Sequence, residues 1–326
     1  MRKTTPRQDI LTIFGMVVTL GIPAILTLSR VGTRPEDVHG VENPSPYGYT
    51  VSLLLFLFPV VVLTVFHMFR PKHHTHRSAL LAAAGTIAVL GFVLDTVFGP
   101  SFFTFKNEAA TLGIRLPAWD WSMLHWVPAY LPVEEFAFYI LGGLFVITSY
   151  LWFSEYWLQD YEPHDFQAST QSVGRLVQIS WWSVLVWAAL LALGLAFKRI
   201  GPRPDGFAGY FVFLMVLGFL PTFLFLRAVA RFVNWRAFAG AYAALMLVSL
   251  VWEATLGVPY DWWNYKSEQM LGIEVQAWSG LPLEAVLLWL VIAWDCVIAF
   301  EIFRVFFHMD RKPMQALFGR AETSRL

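Results

Sequence analysis

Seven carboxylic acids stand in stretches of chain that are otherwise apolar: Asp95, Glu134, Glu135, Glu253, Glu284, Asp295 and Glu301. A carboxylate in hydrocarbon is costly, so acids at such positions are functional candidates by default. Carboxyls gathered in an apolar cavity lose solvation and repel one another, so one keeps its proton at neutral pH while a neighbour ionises. A set of this kind performs general acid–base chemistry with neither a metal nor a redox cofactor. Helix capping is the rival reading for Glu134 and Glu284. Pro132 and Pro282 suit a first helical turn, and the Glu two residues later faces the unsatisfied N–H groups there. Capping requires one acid per helix, however. It leaves unexplained the acids on the preceding helices, Asp95 and Glu253, and the Glu134-Glu135 doublet. Asp295 follows Glu284 by eleven residues, three helical turns, which puts both on nearly the same face. It reads equally as a buried hydrogen-bonding group or as part of a proton path. Glu301, three residues before Arg304, reads as an i, i+3 surface pair.

The elements that carry these acids are long and apolar. The 326 residues are 57% hydrophobic and only 14% charged, against roughly 25% charged in a typical soluble domain. A net charge of zero gives no polybasic signature for nucleic acid. The lone Cys296 excludes an intramolecular disulfide framework and a four-cysteine metal site. Runs of the length needed to cross a bilayer cover 10–29, 50–69, 78–98, 133–153, 176–197, 206–226, 237–256 and 282–307. Eight such spans predict an all-α, polytopic membrane bundle, since only helices satisfy their own backbone in lipid at these lengths. The first span is too long for the apolar core of a signal peptide and is read as retained. With the N-terminus inside, the inner segments hold 15 of the 23 Lys and Arg. That distribution places both termini in the cytoplasm of a multi-pass protein of the cytoplasmic membrane.

The chain also reads as two similar halves, a four-helix repeat over 1–156 and another over 176–326, joined by a polar linker at 157–175. Tyr49 precedes Pro59 in one half, and Tyr210 precedes Pro221 in the other. Each half then has an acid followed four residues later by glycine, Asp95 to Gly99 and Glu253 to Gly257, which predicts a helix end and a turn. Aromatic stretches come next, Phe102-Phe103-Thr104-Phe105-Lys106 and Trp262-Trp263-Asn264-Tyr265-Lys266. Leu-Gly-Ile follows at 112–114 and 271–273, and Leu-Pro-x-Glu at 131–134 and 281–284. Parallel repeats place a shared site at their interface. Phe, Trp and Tyr make up 17% of the chain. Trp119, Trp121, Trp126, Trp262, Trp263 and Trp278, just outside the spans, suit an interfacial belt. They equally suit a cavity whose ring faces stabilise a carbocation, by roughly 0.5–2 kcal/mol per ring.

The motif Leu131-Pro132-Val133-Glu134-Glu135-Phe136, preceded by Leu112-Gly113-Ile114-Arg115, resembles the signature of the membrane-integral lycopene cyclase domain family, and both halves carry it, over 95–140 and 253–290. The resemblance implies proton-initiated cyclisation of a polyene end group such as that of lycopene, without net redox change or cofactor. It implies catalytic roles for Glu134, Glu135, Glu284, Asp95 and Glu253, with Glu134 or Glu135 as proton donor. It further implies an isoprenoid or carotenoid substrate drawn from membrane lipid, and contact with other enzymes of the same pathway. Phe136, Phe138, Trp262, Trp263 and Tyr265 are the expected substrate-binding aromatics. The second motif has Ala285 where the first has Glu135, and the first half inserts Ala118 to Tyr130, including Asp120 and His125. The segment from Gly257 to Ile273 is also similar to carotenoid hydratases, which protonate the same kind of alkene and quench the cation with water.

Other signals are weaker. His73-His74-Thr75-His76 lies in a basic turn and reads as solvated surface rather than a metal site. His67 reads as a satisfied polar contact, His125 as a possible proton relay and Cys296 as packing. A membrane prenyltransferase would need Asp-rich magnesium motifs, and a retinal protein a lysine in mid-membrane; neither pattern is present. A proton-coupled carrier shares the repeats and acids, and Pro59 and Pro221 would mark its interrupted helices.

Overall fold

A computed structural model of the chain describes residues 46–71, 76–121, 127–158, 166–201, 203–275 and 279–319. Seven helices in it are long and apolar enough to cross a membrane: α1 Gly48–Phe69, α2 Arg77–Phe102, α3 Val133–Trp157, α4 Trp181–Ile200, α5 Gly209–Val229, α6 Trp235–Gly257 and α7 Leu283–His308. They are the helices of a multi-pass membrane protein and coincide with seven of the expected spans. The expected span 10–29 lies outside the described residues, as do His73, His74, His125, Trp126, Trp278 and residues 159–165 of the central linker.

One of the two helices runs past the glycine that the acid-to-glycine spacing marks as its end, and the other stops there. α2 continues through Gly99 and Pro100 to Phe102, and α6 closes as a wide π-helical turn over Glu253–Gly257. Glycine at 99 does not terminate the helix there; its missing side chain makes room for a neighbour, as described below. Pro59 sits inside a continuous α1. Pro221 follows a π-helical stretch, Leu214–Phe219, in α5. The inserted bulge leaves backbone carbonyls without their usual i+4 partners.

The loops gather at opposite ends. At one end lie 103–121, 127–132, 258–275 and 279–282, which include three two-stranded antiparallel pieces: β1 Phe103–Thr104 with β4 Asn264–Tyr265, β2 Arg115–Asp120 with β3 Val127–Pro132, and β5 Glu274–Val275 with β6 Leu281–Pro282. The β1–β4 pair ties the loop after α2 to the loop after α6. Helices α2, α3, α6 and α7 form the centre, with α1 against α3 and α5 against α7. Among the described long helices α4 packs chiefly on α5, and it leaves Trp182 and Leu193 outward.

The opposite end is held by a buried ionic cluster. Glu301 and Arg304 are 0% and 1% exposed, so the expected surface pair is instead an interior one. Arg304 Nη1 lies 3.2 Å from Glu301 Oε1 and 3.3 Å from Oε2. Tyr150 Oη donates to the same carboxylate at 2.7 Å and accepts from Asn234 N–H at 3.0 Å. The guanidinium also sits 3.9 Å over the Phe166 ring. Sequence spacing alone could not reveal this burial, because Tyr150, Phe166 and Asn234 come from three other parts of the chain. His76 caps α2 by accepting from Ala79 N–H at 3.2 Å. Burial, then the nearby His308 and Arg304, pull its pKa below the ordinary imidazole value, which preserves the acceptor nitrogen.

Removing one partner of a buried pair strands the other charge. Arg304→Met is expected to destabilise the fold by about 3–5 kcal/mol, and the double change with Glu301→Gln to recover most of that loss. Thermal unfolding in detergent measures both; an unchanged midpoint for Arg304→Met would show that the pair does not hold this end together.

Candidate acid site and apolar chamber

Each half of the loop end uses one Glu to pin a turn. Glu134, second residue of α3, accepts from Leu112 N–H at 2.7 Å and from Thr50 Oγ1 at 2.5 Å. Glu284, second residue of α7, accepts from Leu271 N–H at 2.5 Å. In both turns the glycine of Leu-Gly-Ile takes a positive φ, 75° at Gly113 and 88° at Gly272, a conformation that side chains disfavour. The isoleucine carbonyl then accepts from the helix start, Val133 N–H at 3.0 Å and Leu283 N–H at 2.9 Å. These carboxyls therefore cap loop amides, and Glu284 also accepts from its own backbone N–H at the start of α7. Both are buried, at 2% and 0% exposure, and one oxygen of each has no partner among the described residues.

Glu135 and Glu253 are held by aromatic donors. Tyr49, the second residue of α1, donates to Glu135. Its ring packs against Trp252, Trp262 and Trp263, with centroids 5.8, 5.9 and 5.3 Å away. Glu253 accepts from Trp289 Nε1 and from Tyr265 Oη, each at 2.5 Å. Burial and then the Glu253 charge raise the Tyr265 phenol well above its ordinary pKa, so it remains a donor.

Asp95 differs. Its only hydrogen bond within the described residues is a long one, from Tyr139 Oη at 3.4 Å, and its Oδ2 has no partner there. A Cβ on Gly99 would come within 2.4 Å of Asp95 Oδ1, so the glycine lets the carboxyl fold back over the next turn. Tyr139 is one helical turn beyond Glu135, and Asp95, Glu134 and Glu253 all act electrostatically on Glu135. Carboxyls from both parts of the chain thus form one group.

Asp95 opens onto a chamber of about 510 Å³ between α2, α3, α5 and α7. Its lining on α2 runs from Thr86 to Phe102, a length of roughly 24 Å at 1.5 Å per residue. Around Asp95 the wall is aromatic: Phe102, Phe103, Phe138, Tyr139, Tyr210 and Phe213. Further along it is mostly aliphatic, with Thr86, Thr222, Asp295 and Cys296 partway and the rings of Phe225 and Phe303 toward the other end.

The expected site residues fall into distinct places. Asp95 and Phe138 line the chamber; Glu135 sits behind Asp95. Glu134 and Glu284 secure the two turns, and Glu253 ties Tyr265 to Trp289. Trp262 and Trp263 buttress Tyr49 and are absent from the chamber wall, while Phe136 packs apart from it against Phe92, with ring centroids 4.6 Å away. Tyr49 and Tyr139 are donors, and Tyr210 a chamber-wall ring, that the acid motifs do not reveal. The available signal was the Gly-Tyr pair opening a span in both halves, Gly48-Tyr49 and Gly209-Tyr210. Among the described residues no group of three or more His, Cys, Asp or Glu is placed to hold a metal ion. No protein-family model, curated protein or solved structure matches this chain.

Loss of the Glu284 carboxyl would leave the Leu271 amide buried without its acceptor. Glu284→Ala is expected to cost about 1–3 kcal/mol and to speed hydrogen exchange at Leu271 selectively. Unaltered exchange there would mean that the turn is held by something else.

Proposed function

We propose that this protein is a membrane-embedded enzyme that cyclises the end of a long polyene isoprenoid, most simply a carotenoid precursor such as lycopene, by acid catalysis without a cofactor. The observation that carries the reading is the chamber itself: long, apolar, ringed by aromatics at one end, with the Asp95 carboxyl in its wall there. A rod-like hydrocarbon suits the aliphatic length, and a developing carbocation suits the aromatic end. The motif resemblance supports the same chemistry.

In this reading Asp95, in protonated form, gives its proton to the terminal double bond, and the adjacent carbon becomes a cation. The next double bond attacks that carbon and closes the ring, moving the charge into it. Loss of a ring proton to the carboxylate group formed by Asp95 and Glu135 regenerates the acid, so the product is an isomer of the substrate. Donation is thus assigned to the carboxyl that lines the chamber, rather than to Glu134 or Glu135, which the motif favours. Glu135 stands behind it as the second member of the pair, and Glu134, Glu253 and Glu284 shape the end of the chamber. The two halves act as tandem repeats across a common axis, with the loop end outside and both termini in the cytoplasm. The substrate enters from the lipid and the product passes to other enzymes of the pathway within the same cytoplasmic membrane.

Hydration shares the protonation step and ends with water on the cation. A carrier is the reading favoured by the π-helical stretch of α5, since Leu214, Leu217 and Gly218 of that stretch line the chamber. Expression in cells that accumulate lycopene separates the three. A pigment of altered retention and unchanged mass means cyclisation, and a gain of one water means hydration. An unaltered pigment would defeat both enzymatic readings and leave the carrier.

Two substitutions test the assignment of the acid. Asp95→Asn is expected to lower turnover by about 10²–10⁴-fold while the folded protein is retained. Glu134→Gln keeps an oxygen acceptor for Leu112 N–H and is expected to stay active. Full activity of the first variant, or loss in the second with an intact fold, would move the donor to Glu134.

A further inference from the structure

Asp295 stands alone among the seven intramembrane acids. Each of the other six accepts at least one hydrogen bond, from a turn amide, a tyrosine, a tryptophan or an arginine. Asp295 makes none with any described residue, and its Oδ1 is buried. It belongs to no cap and no ion pair, yet it lines the same chamber as Asp95. An unpaired carboxyl in an apolar wall is costly, and native interiors seldom keep one without a use.

Its depth can be read from its neighbours. A Cβ on Gly143 would lie 3.2 Å from Ile87 Cγ2 and 3.8 Å from Cys296 Sγ, so Cys296 is level with Ile87 of α2. Asp95 is eight residues further along α2, a separation of about 12 Å at 1.5 Å per residue. Thr86, next to Ile87, also lines the chamber and puts a hydroxyl at the same depth as Asp295. The chamber therefore has two polar levels, one at the aromatic end and one partway along the aliphatic run.

We infer that Asp295, with Thr86, is a subsite for a hydroxyl group carried on the apolar ligand about 12 Å from the end held at Asp95. This rests on the reading of the chamber as a polyene site, and it makes a hydroxylated chain a tighter ligand there than the bare hydrocarbon. A hydroxyl both donates and accepts, so it completes the carboxyl in either protonation state. It also costs less to desolvate than a charged group would.

The test compares two probes on purified protein in lipid nanodiscs by tryptophan quenching: a linear polyene hydrocarbon, and the same chain with one hydroxyl about 12 Å from its terminus. Wild-type protein is expected to bind the hydroxylated chain at least about tenfold more tightly, or about 1.4 kcal/mol. Asp295→Leu should bind both chains alike, and Asp295→Asn should keep part of the preference, which also guards against a folding defect in the leucine variant. Equal binding of the two chains by wild type, or an undiminished preference in Asp295→Leu, overturns the subsite while leaving the chamber a polyene site. Tighter binding of an amine-bearing chain overturns it in favour of a cation site. If neither chain binds, the polyene reading falls with it.

Discussion

The cost of placing carboxyl groups in an apolar interior governs the arrangement of this protein. Every such group must meet a donor, and donors are scarce where helices expose only side chains to one another. The chain meets the demand by bringing polar groups in from elsewhere: loop amides at Leu112 and Leu271, phenols at Tyr49, Tyr139 and Tyr265, and an indole at Trp289. Most of the shape at the loop end follows from those bonds.

The two turns illustrate the dependence. A helix-start carboxyl reaches out of its own helix to hold a Leu-Gly-Ile turn, and the isoleucine carbonyl closes back on the helix start. Only a residue free to adopt positive φ lets the turn present its amide and carbonyl to the same helix. With the turns fixed, the aromatic residues before them are fixed as well, and the β1–β4 pair joins the two sides across the bundle. Tyr49 is wedged among three tryptophans and so delivers its hydroxyl to Glu135 without freedom to swing away. Rigid donors of this kind hold a carboxyl in one position relative to its neighbours.

Asp95 and Asp295 are the exceptions, and both face open space. Glu134 and Glu284 each also keep one oxygen without a described partner, but of the unsatisfied acids only these two line the chamber and offer acceptor capacity to what occupies it. A wall that is aromatic around Asp95 and mostly aliphatic in its middle, with Phe225 and Phe303 beyond, offers a ligand different environments. That gradient distinguishes one end of a long apolar molecule from its middle. The two motif copies differ in sequence here, because Ala285 stands where the first has Glu135.

Much of the fold was legible in the sequence because it depends on local composition. The helices, the apolar character of their surfaces and the interior position of the acids follow from runs of residues too long and too uncharged to lie elsewhere. The correspondence between Leu-Gly-Ile and Leu-Pro-x-Glu in the two halves was also readable, since motif and spacing survive in one dimension. Partner choice was not. Glu134 and Glu135 are neighbours in sequence, yet one binds a loop amide and the other a tyrosine on another helix, because successive helical residues point in different directions. Trp262 and Trp263 could be recognised as aromatic cargo of a loop, but only packing put them behind Tyr49 rather than in the chamber wall. Glu301 and Arg304 have the spacing of a surface pair and became interior only when Tyr150, Asn234 and Phe166 closed over them. Local sequence decides what a segment is; which side chains share a cavity depends on contacts far apart in the chain, and these exist only once the helices have packed.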